Sequence, residues 1–234
     1  MKPTVLVVSC EHAGNDVPNE YRNLFAQQEA VLQTHRAIDF GALEIAEQIS
    51  QTFDCDYTKT TVTRLLIDCN RSLANPKCFS EFTRPLPKKD KQTLIENYYL
   101  PFRQHTAQLI TNHIHQGQQV LHLSIHSFTP ELNGIPRNAA ISLLYDPKRH
   151  GEKEVARIWQ NLLLHQPAAY RVRLNYPYQG TSDGFTTALR KQHNQKDYLG
   201  IEVESNQALM TTKDTFNQLI NVLTSSLREL LQLL

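Results

Sequence analysis

No G-x-S-x-G elbow, no G-x-x-x-x-G-K-[ST] loop and no G-x-G-x-x-G turn occurs in the chain, so serine hydrolase, nucleotide hydrolase and dinucleotide readings are disfavoured. Charge of one sign is also missing. There are 24 basic and 23 acidic residues, a net charge of +1, and hence no electrostatic case for nucleic acid or an anionic membrane. The cysteines number four, Cys10, Cys55, Cys69 and Cys78, and none forms a C-x-x-C pair. A disulfide framework or a cysteine-rich zinc site is therefore not expected, and Cys10 and Cys69 read as small buried hydrophobes. No apolar run is long enough to span a bilayer, and the start of the sequence carries no secretory apolar region. The cytoplasm is the expected compartment.

What is present is enough for one domain. A chain of 234 residues buries roughly 70% or more of its unfolded surface without a covalent staple. Residues 4–9 form a short apolar, β-branched run typical of a strand covered on both faces. Strands are also expected within 57–67, at 119–126, 139–145, near 170–174 and at 198–204. Apolar spacing of three and four predicts helices over 36–53, 90–116 with a break at Pro101, 151–164 and 212–234, with a short one at 184–193. The stripe Phe216, Leu219, Ile220, Leu223, Leu227, Leu230, Leu231 and Leu234 reads as the face packed on the sheet. Strands alternating with helices, with no repeat and no linker, predict a single α/β domain over 1–234. Its central sheet is expected to be mostly parallel or mixed and flanked by helices.

Polar residues gather where those strands end, which is where ligands bind in open α/β sheets. The first strand runs into Cys10-Glu11-His12-Ala13-Gly14-Asn15. The strand at 119–126 ends in Ser124-Ile125-His126-Ser127, and a third segment ends in Asp68-Cys69-Asn70-Arg71. Glu202 and Glu204 lie in an apolar strand, and alternation points both to one face. A single strand-end histidine is ordinarily a hydrogen-bonded structural residue, Arg71 alone could be a surface ion pair, and Glu202 a salt-bridged sheet residue. His105, His113 and His115, in a polar helix, are expected to face solvent. The joint pattern is more specific. Two buried carboxylates in an apolar strand need a cation nearby. Two imidazoles and a carboxylate leave an open position on zinc, an arrangement that supplies hydroxide at neutral pH and polarises a carbonyl. A neighbouring glutamate can move a proton to a leaving nitrogen, and an arginine can grip a substrate carboxylate with two parallel hydrogen bonds.

The segments SCEHAGNDVP, HRAIDFGA, IDCNRS, LSIHSFTP and LGIEVESNQ, in this order, resemble the N-formylglutamate amidohydrolase family and extend from residue 9 to about residue 209. The resemblance implies a zinc-dependent hydrolase of small N-acyl amino acids with a fold similar to the zinc carboxypeptidases (phosphorylase/hydrolase-like). It would bind one zinc ion per chain and convert N-formyl-L-glutamate to formate and glutamate, a step of histidine breakdown. IDCNR is similar to the Asp-x-Asn-Arg motif of aspartoacylase-type enzymes, which implies that Asn70 and Arg71 hold substrate. LGIEVE is similar to the strand carrying their catalytic glutamate, which falls on Glu202. His126 falls on their second zinc histidine. His12, His126 and Glu11 are thus the expected metal ligands, with Asp39 the alternative to Glu11. Arg64, Ser127 and Glu204 complete the expected substrate contacts. Two positions depart from the pattern: Asn15 stands where carboxypeptidase-like relatives place a zinc-binding glutamate, and Glu204 where many family members have arginine. Two other readings stay open, a carboxypeptidase-like amidase or peptidase acting on peptides, and a binding module on the same fold without turnover.

Overall fold

A computed structural model describes residues 2–234. Six strands build one sheet: β1 (Thr4–Cys10), β2 (Asp56–Lys59), β3 (Gln119–Phe128), β6 (Ile141–Leu144), β7 (Val172–Leu174) and β8 (Tyr198–Asn206). A two-residue hairpin, β4 (Glu131–Leu132) and β5 (Ile135–Pro136), stands apart from it. The sheet order is β2-β1-β3-β8-β6-β7. The pairs from β2 to β8 are parallel, β6 runs antiparallel to β8, and β7 is parallel to β6. The expected single α/β domain with a mixed sheet is the fold observed.

Helices α1 (Ala42–Phe53), α4 (His150–Leu164) and α6 (Lys213–Leu233) cover one face of the sheet. Helices α2 (Lys88–Leu94), α3 (Leu100–His115) and α5 (Phe185–Gln192) cover the other. The stripe on α6 packs inward through Leu219, Leu223, Leu227 and Leu230. Such side chains each contribute about 1.5–3 kcal/mol when fully buried. A π-helical turn, Ile95–Tyr99, joins α2 to α3. Pro101 lies in the first turn of α3 and has no N–H to continue the ladder, yet the chain stays helical from Lys88 to His115, so the break expected there is only the π turn before it.

Strand alternation sorts the sheet. On β3, Leu121, Leu123 and Ile125 enter the core under α1, α4 and α6, so His122, Ser124 and His126 point to the opposite face. The same rule puts Ser9 of β1 and Tyr198, Gly200, Glu202 and Glu204 of β8 on that second face. The β3–β8 register sets Ser124 beside Glu202 and His126 beside Glu204. A patch of polar side chains is thus built into the ends of three adjacent strands.

Two expectations differ. The helix expected over 36–53 begins only at Ala42, because Gly41 adopts a left-handed backbone (φ 73°) and the Asp39 N–H donates to the His12 carbonyl at 3.1 Å. The strand region at 57–67 yields only β2 and a single bridge between Asp16 and Val62. Leu65 and Leu66 are buried in a turn and Ile67 just after it, none of them in a strand.

Candidate active site

The chain turns directly after β1, so Glu11 and His12 are both buried instead of pointing to opposite faces. Gly14 makes this turn possible, since a Cβ there would lie 2.4 Å from the Thr61 carbonyl oxygen. His12 Nδ1, His126 Nδ1 and one oxygen of Asp39 converge, all within 4.8 Å of one another. Asp39 Oδ2 is 3.2 Å from His12 Nδ1 and 2.9 Å from His126 Nδ1.

The remote nitrogens are held from behind. His12 Nε2 donates to Asp68 Oδ1 at 2.8 Å. His126 Nε2 lies 2.9 Å from Ser124 Oγ and 3.3 Å from Glu11 Oε2. The Ser124 hydroxyl donates to Glu11 Oε2 at 2.8 Å, so it must accept from His126. Glu11 Oε1 receives the Ser9 hydroxyl at 2.7 Å. Ser9 in turn accepts from His122 Nε2 at 2.8 Å, and His122 Nδ1 accepts from the Tyr198 hydroxyl at 2.8 Å. Burial lowers the His122 pKa to about 4, in keeping with a neutral link in this chain.

Of the two carboxylates expected as the third ligand, the structure brings Asp39 together with His12 and His126. Glu11 does not join the convergent cluster; it sits behind His126 and orients it, while Asp39 supplies the third donor atom. Sequence order had favoured Glu11 because it adjoins His12. The late start of α1 at Ala42 leaves Asp39 outside the helix, where its N–H donates to the His12 carbonyl. Two imidazole nitrogens and a carboxylate oxygen, with each imidazole backed by a second carboxylate, form a donor set that fits zinc.

The charges are consistent with that use. Burial raises the Glu11 pKa, but hydrogen bonding and attraction to His126 prevail and bring it to about 2. Burial also opposes ionisation of Asp39, yet Arg64 and His12 hold it well below the usual carboxylate range. His126, desolvated but flanked by Asp39 and Glu11, is raised well above its ordinary value. Arg64 was expected to contact substrate. It lines the cavity, and its guanidinium donates to Asp39, to the His35 carbonyl (2.6 Å) and to His12 Nδ1 (3.0 Å).

The cluster opens into a cavity of about 190 Å³ whose lining includes Asn70, Arg71, Ser127, Glu202 and Glu204. Asn70 Oδ1 accepts the Phe185 N–H at 2.7 Å, and Asn70 Nδ2 lies 3.3 Å from His126 Nε2. Both side-chain hydrogen bonds of Arg71 come from Nη1, to the Asn70 and Asp183 carbonyls. Among the described residues no hydrogen bond or ion pair involves its Nε or Nη2. Ser127 accepts from Gln207 at 3.0 Å. Glu202 Oε1 accepts the Thr186 hydroxyl at 2.5 Å. Gly184 gives the room beside it, because a Cβ there would lie 3.0 Å from Asn70 Oδ1 and 3.6 Å from Glu202 Oε1. Sequence reasoning missed Asp183 in the turn-rich stretch before α5, Thr186 in the first turn of α5, and Arg137 just after β5. An arginine in a Pro- and Gly-rich loop of that kind carries no pattern that separates a pocket residue from a surface one.

Glu204 is buried with Oε2 unpartnered, and desolvation raises its pKa to about 8. Below its ordinary value of 4.5 the carboxyl is neutral in both the folded and the unfolded chain. Between there and about 8 the unfolded chain gives up the proton and the folded chain keeps it, so stability falls as pH rises. Glu204→Gln should therefore raise the melting temperature of chelator-treated protein at pH 8, and the gain should vanish near pH 4.5. A gain of equal size at both pH values would refute the assignment.

Comparison with known proteins adds family and fold. Residues 4–211 match the sequence profile of N-formylglutamate amidohydrolase. The crystal structure of a gene product from Agrobacterium tumefaciens superposes with a TM-score of 0.84 at 25% identity, over 99% of this chain and 92% of that one. N-formylglutamate amidohydrolase from Ralstonia eutropha JMP134 superposes with a TM-score of 0.70 at 18% identity, over 98% and 93% of the two chains. Among curated proteins none matches.

Proposed function

The chain belongs to the N-formylglutamate amidohydrolase family, and from that premise we propose that it hydrolyses the amide bond of a small N-acyl amino acid, N-formyl-L-glutamate being the first candidate. The observation that carries this reading is one small cavity faced by the His12–Asp39–His126 cluster, by Glu202 and by the open edge of Arg71. Its volume of about 190 Å³ suits a small molecule better than a peptide.

His12, Asp39 and His126 would hold zinc, which when bound supplies Lewis acidity toward a carbonyl and a lowered pKa for water. Glu202 is oriented by Thr186 and takes a proton from the attacking water as oxygen bonds to the acyl carbon. It passes that proton to the nitrogen as the C–N bond breaks, giving formate and the free amino acid. The Nε–Nη2 edge of Arg71 grips a substrate carboxylate in two parallel hydrogen bonds. With N-formylglutamate the reaction would be a step of histidine breakdown in the cytoplasm. No helix among the described residues is long and apolar enough to cross a membrane.

The test is a screen of N-formyl, N-acetyl and N-succinyl amino acids against zinc-loaded protein. Release of formate from N-formylglutamate, with about one metal ion per chain, is the expected result. A protein that holds its metal and turns over none of these substrates would overturn the reading.

A further inference from the structure

One buried histidine has no part in the chemistry above. His122 lies on β3 with no exposed surface, four residues before His126 and on the same face, and outside the lining of the cavity. Around it are apolar side chains: Phe185 stands edge-on with ring centroids 6.3 Å apart, and the Tyr198 ring is 5.8 Å away. Both of its nitrogens are nevertheless used, at 2.8 Å each, by Ser9 and by the Tyr198 hydroxyl. The direction of each link is fixed. Ser9 donates to Glu11 Oε1, so its oxygen accepts from His122 Nε2. The neutral ring then has no proton on Nδ1, which accepts from Tyr198.

A second run of donors reaches the same carboxylate from the other side. His126 Nε2 donates to Ser124 Oγ, and Ser124 donates to Glu11 Oε2. The two runs therefore meet on Glu11, one on each oxygen. With Oε1 fixed by Ser9, the carboxylate cannot rotate without breaking that bond, and Oε2 stays beside Ser124 and 3.3 Å from His126 Nε2. Held at Nε2, the His126 ring presents Nδ1 to Asp39 at 2.9 Å. Apolar side chains of matching shape could fill this part of the core at little cost in stability. What the polar chain adds is orientation, and a fully satisfied buried chain is rigid.

We propose that His122 is a positioning residue for the metal centre: through Ser9 and Glu11 it holds the His126 ring with Nδ1 turned to the cavity. Tyr198 completes the device by fixing which nitrogen of His122 carries the proton. This rests on the reading of His12, Asp39 and His126 as metal ligands, but the coupling of His122 to Glu11 is measured as metal affinity, without turnover.

The experiment measures zinc affinity, by competition with a chromophoric chelator, in the wild-type protein, His122→Leu, His122→Gln and Ser9→Ala, each also combined with Glu11→Gln. Hydrolysis of N-formylglutamate is followed in parallel. His122→Leu and Ser9→Ala should each weaken zinc by about 10-fold, the lower end of what an outer partner of a ligand contributes. His122→Gln should stay within about threefold, because its amide can still donate to Ser9. With Glu11 already replaced by glutamine, neither His122→Leu nor Ser9→Ala should add more than about twofold, since residues that act through one another are not additive. Purely structural damage would carry through both backgrounds alike, and glutamine would not rescue it. Unchanged zinc affinity in His122→Leu, or an equal loss with and without Glu11, overturns the proposal. Should His122→Leu fail to fold, Ser9→Ala decides by the same comparison. Coupling of His122 to Glu11 in a protein that hydrolyses no N-acyl amino acid would sink the hydrolase reading and leave the positioning role standing. Hydrolysis of N-formylglutamate without that coupling would do the reverse. A wild-type protein that binds no zinc would overturn the metal reading and this proposal with it.

Discussion

Asp39→Ala should leave the protein without stoichiometric metal, whereas Glu11→Gln should keep the ion with a weaker hold. The two carboxylates are both buried and both adjoin His126, but they face different nitrogens. Asp39 Oδ2 meets Nδ1 of His12 and of His126, on the side where the three donor atoms converge. Glu11 lies behind His126, 3.3 Å from Nε2. Losing Asp39 would remove a donor atom and leave Arg64, now without its carboxylate partner, against His12 Nδ1. An unbalanced guanidinium beside two imidazoles opposes any cation. Losing the charge of Glu11 only lets the His126 ring turn and makes it less basic, a change that typically costs about 10–100-fold in metal affinity. Metal content after gel filtration, and competition with a chromophoric chelator, separate the two cases. Stoichiometric metal in Asp39→Ala together with loss in Glu11→Gln would restore Glu11 as the ligand. Because His126 is raised well above its ordinary value between two carboxylates, a metal ion must displace its proton, and affinity should fall as pH is lowered.

The parts of this site that were legible in the sequence are those set by strand periodicity. Alternation alone put Glu202 and Glu204 on one face, and the β3–β8 register sets them beside Ser124 and His126. The parts that were not legible depend on where turns fall. Ile38 and Ala42 continue an apolar spacing that reads as helix, and only the positive φ of Gly41 and the bond from Asp39 to the His12 carbonyl hold its start back to Ala42. That local competition decides which carboxylate joins the histidines. Leu65, Leu66 and Ile67 show the same limit, because an apolar run records burial and not the backbone shape that achieves it. Arg137 lies beyond both signals: its place in the pocket comes from a loop pinned by Asn206, a contact 69 residues away in sequence.

Glu202→Gln should lower kcat by about 10²–10⁴-fold, the usual cost of removing a general base, while metal content and KM change little. The amide keeps the size of the side chain and can still meet the Thr186 hydroxyl, so folding and pocket shape are preserved. What it cannot do is take a proton from water. What supports that proposed task is the Thr186 hydroxyl at 2.5 Å from Glu202 Oε1 and the space that Gly184 leaves. Glu204, two residues on and on the same face, is the natural rival. Its environment argues against it: burial without a donor keeps its carboxyl protonated up to about pH 8, and a carboxyl that already carries its proton cannot accept one. Glu204→Gln should therefore retain kcat within about tenfold at neutral pH, far less than a base knockout costs. Steady-state kinetics on N-formylglutamate with metal-replete protein, each variant checked for its metal, provides the comparison. If Glu202→Gln turned over normally and Glu204→Gln did not, the proton would travel through Glu204, and the partner that lowers its pKa would have to be the metal or the substrate itself.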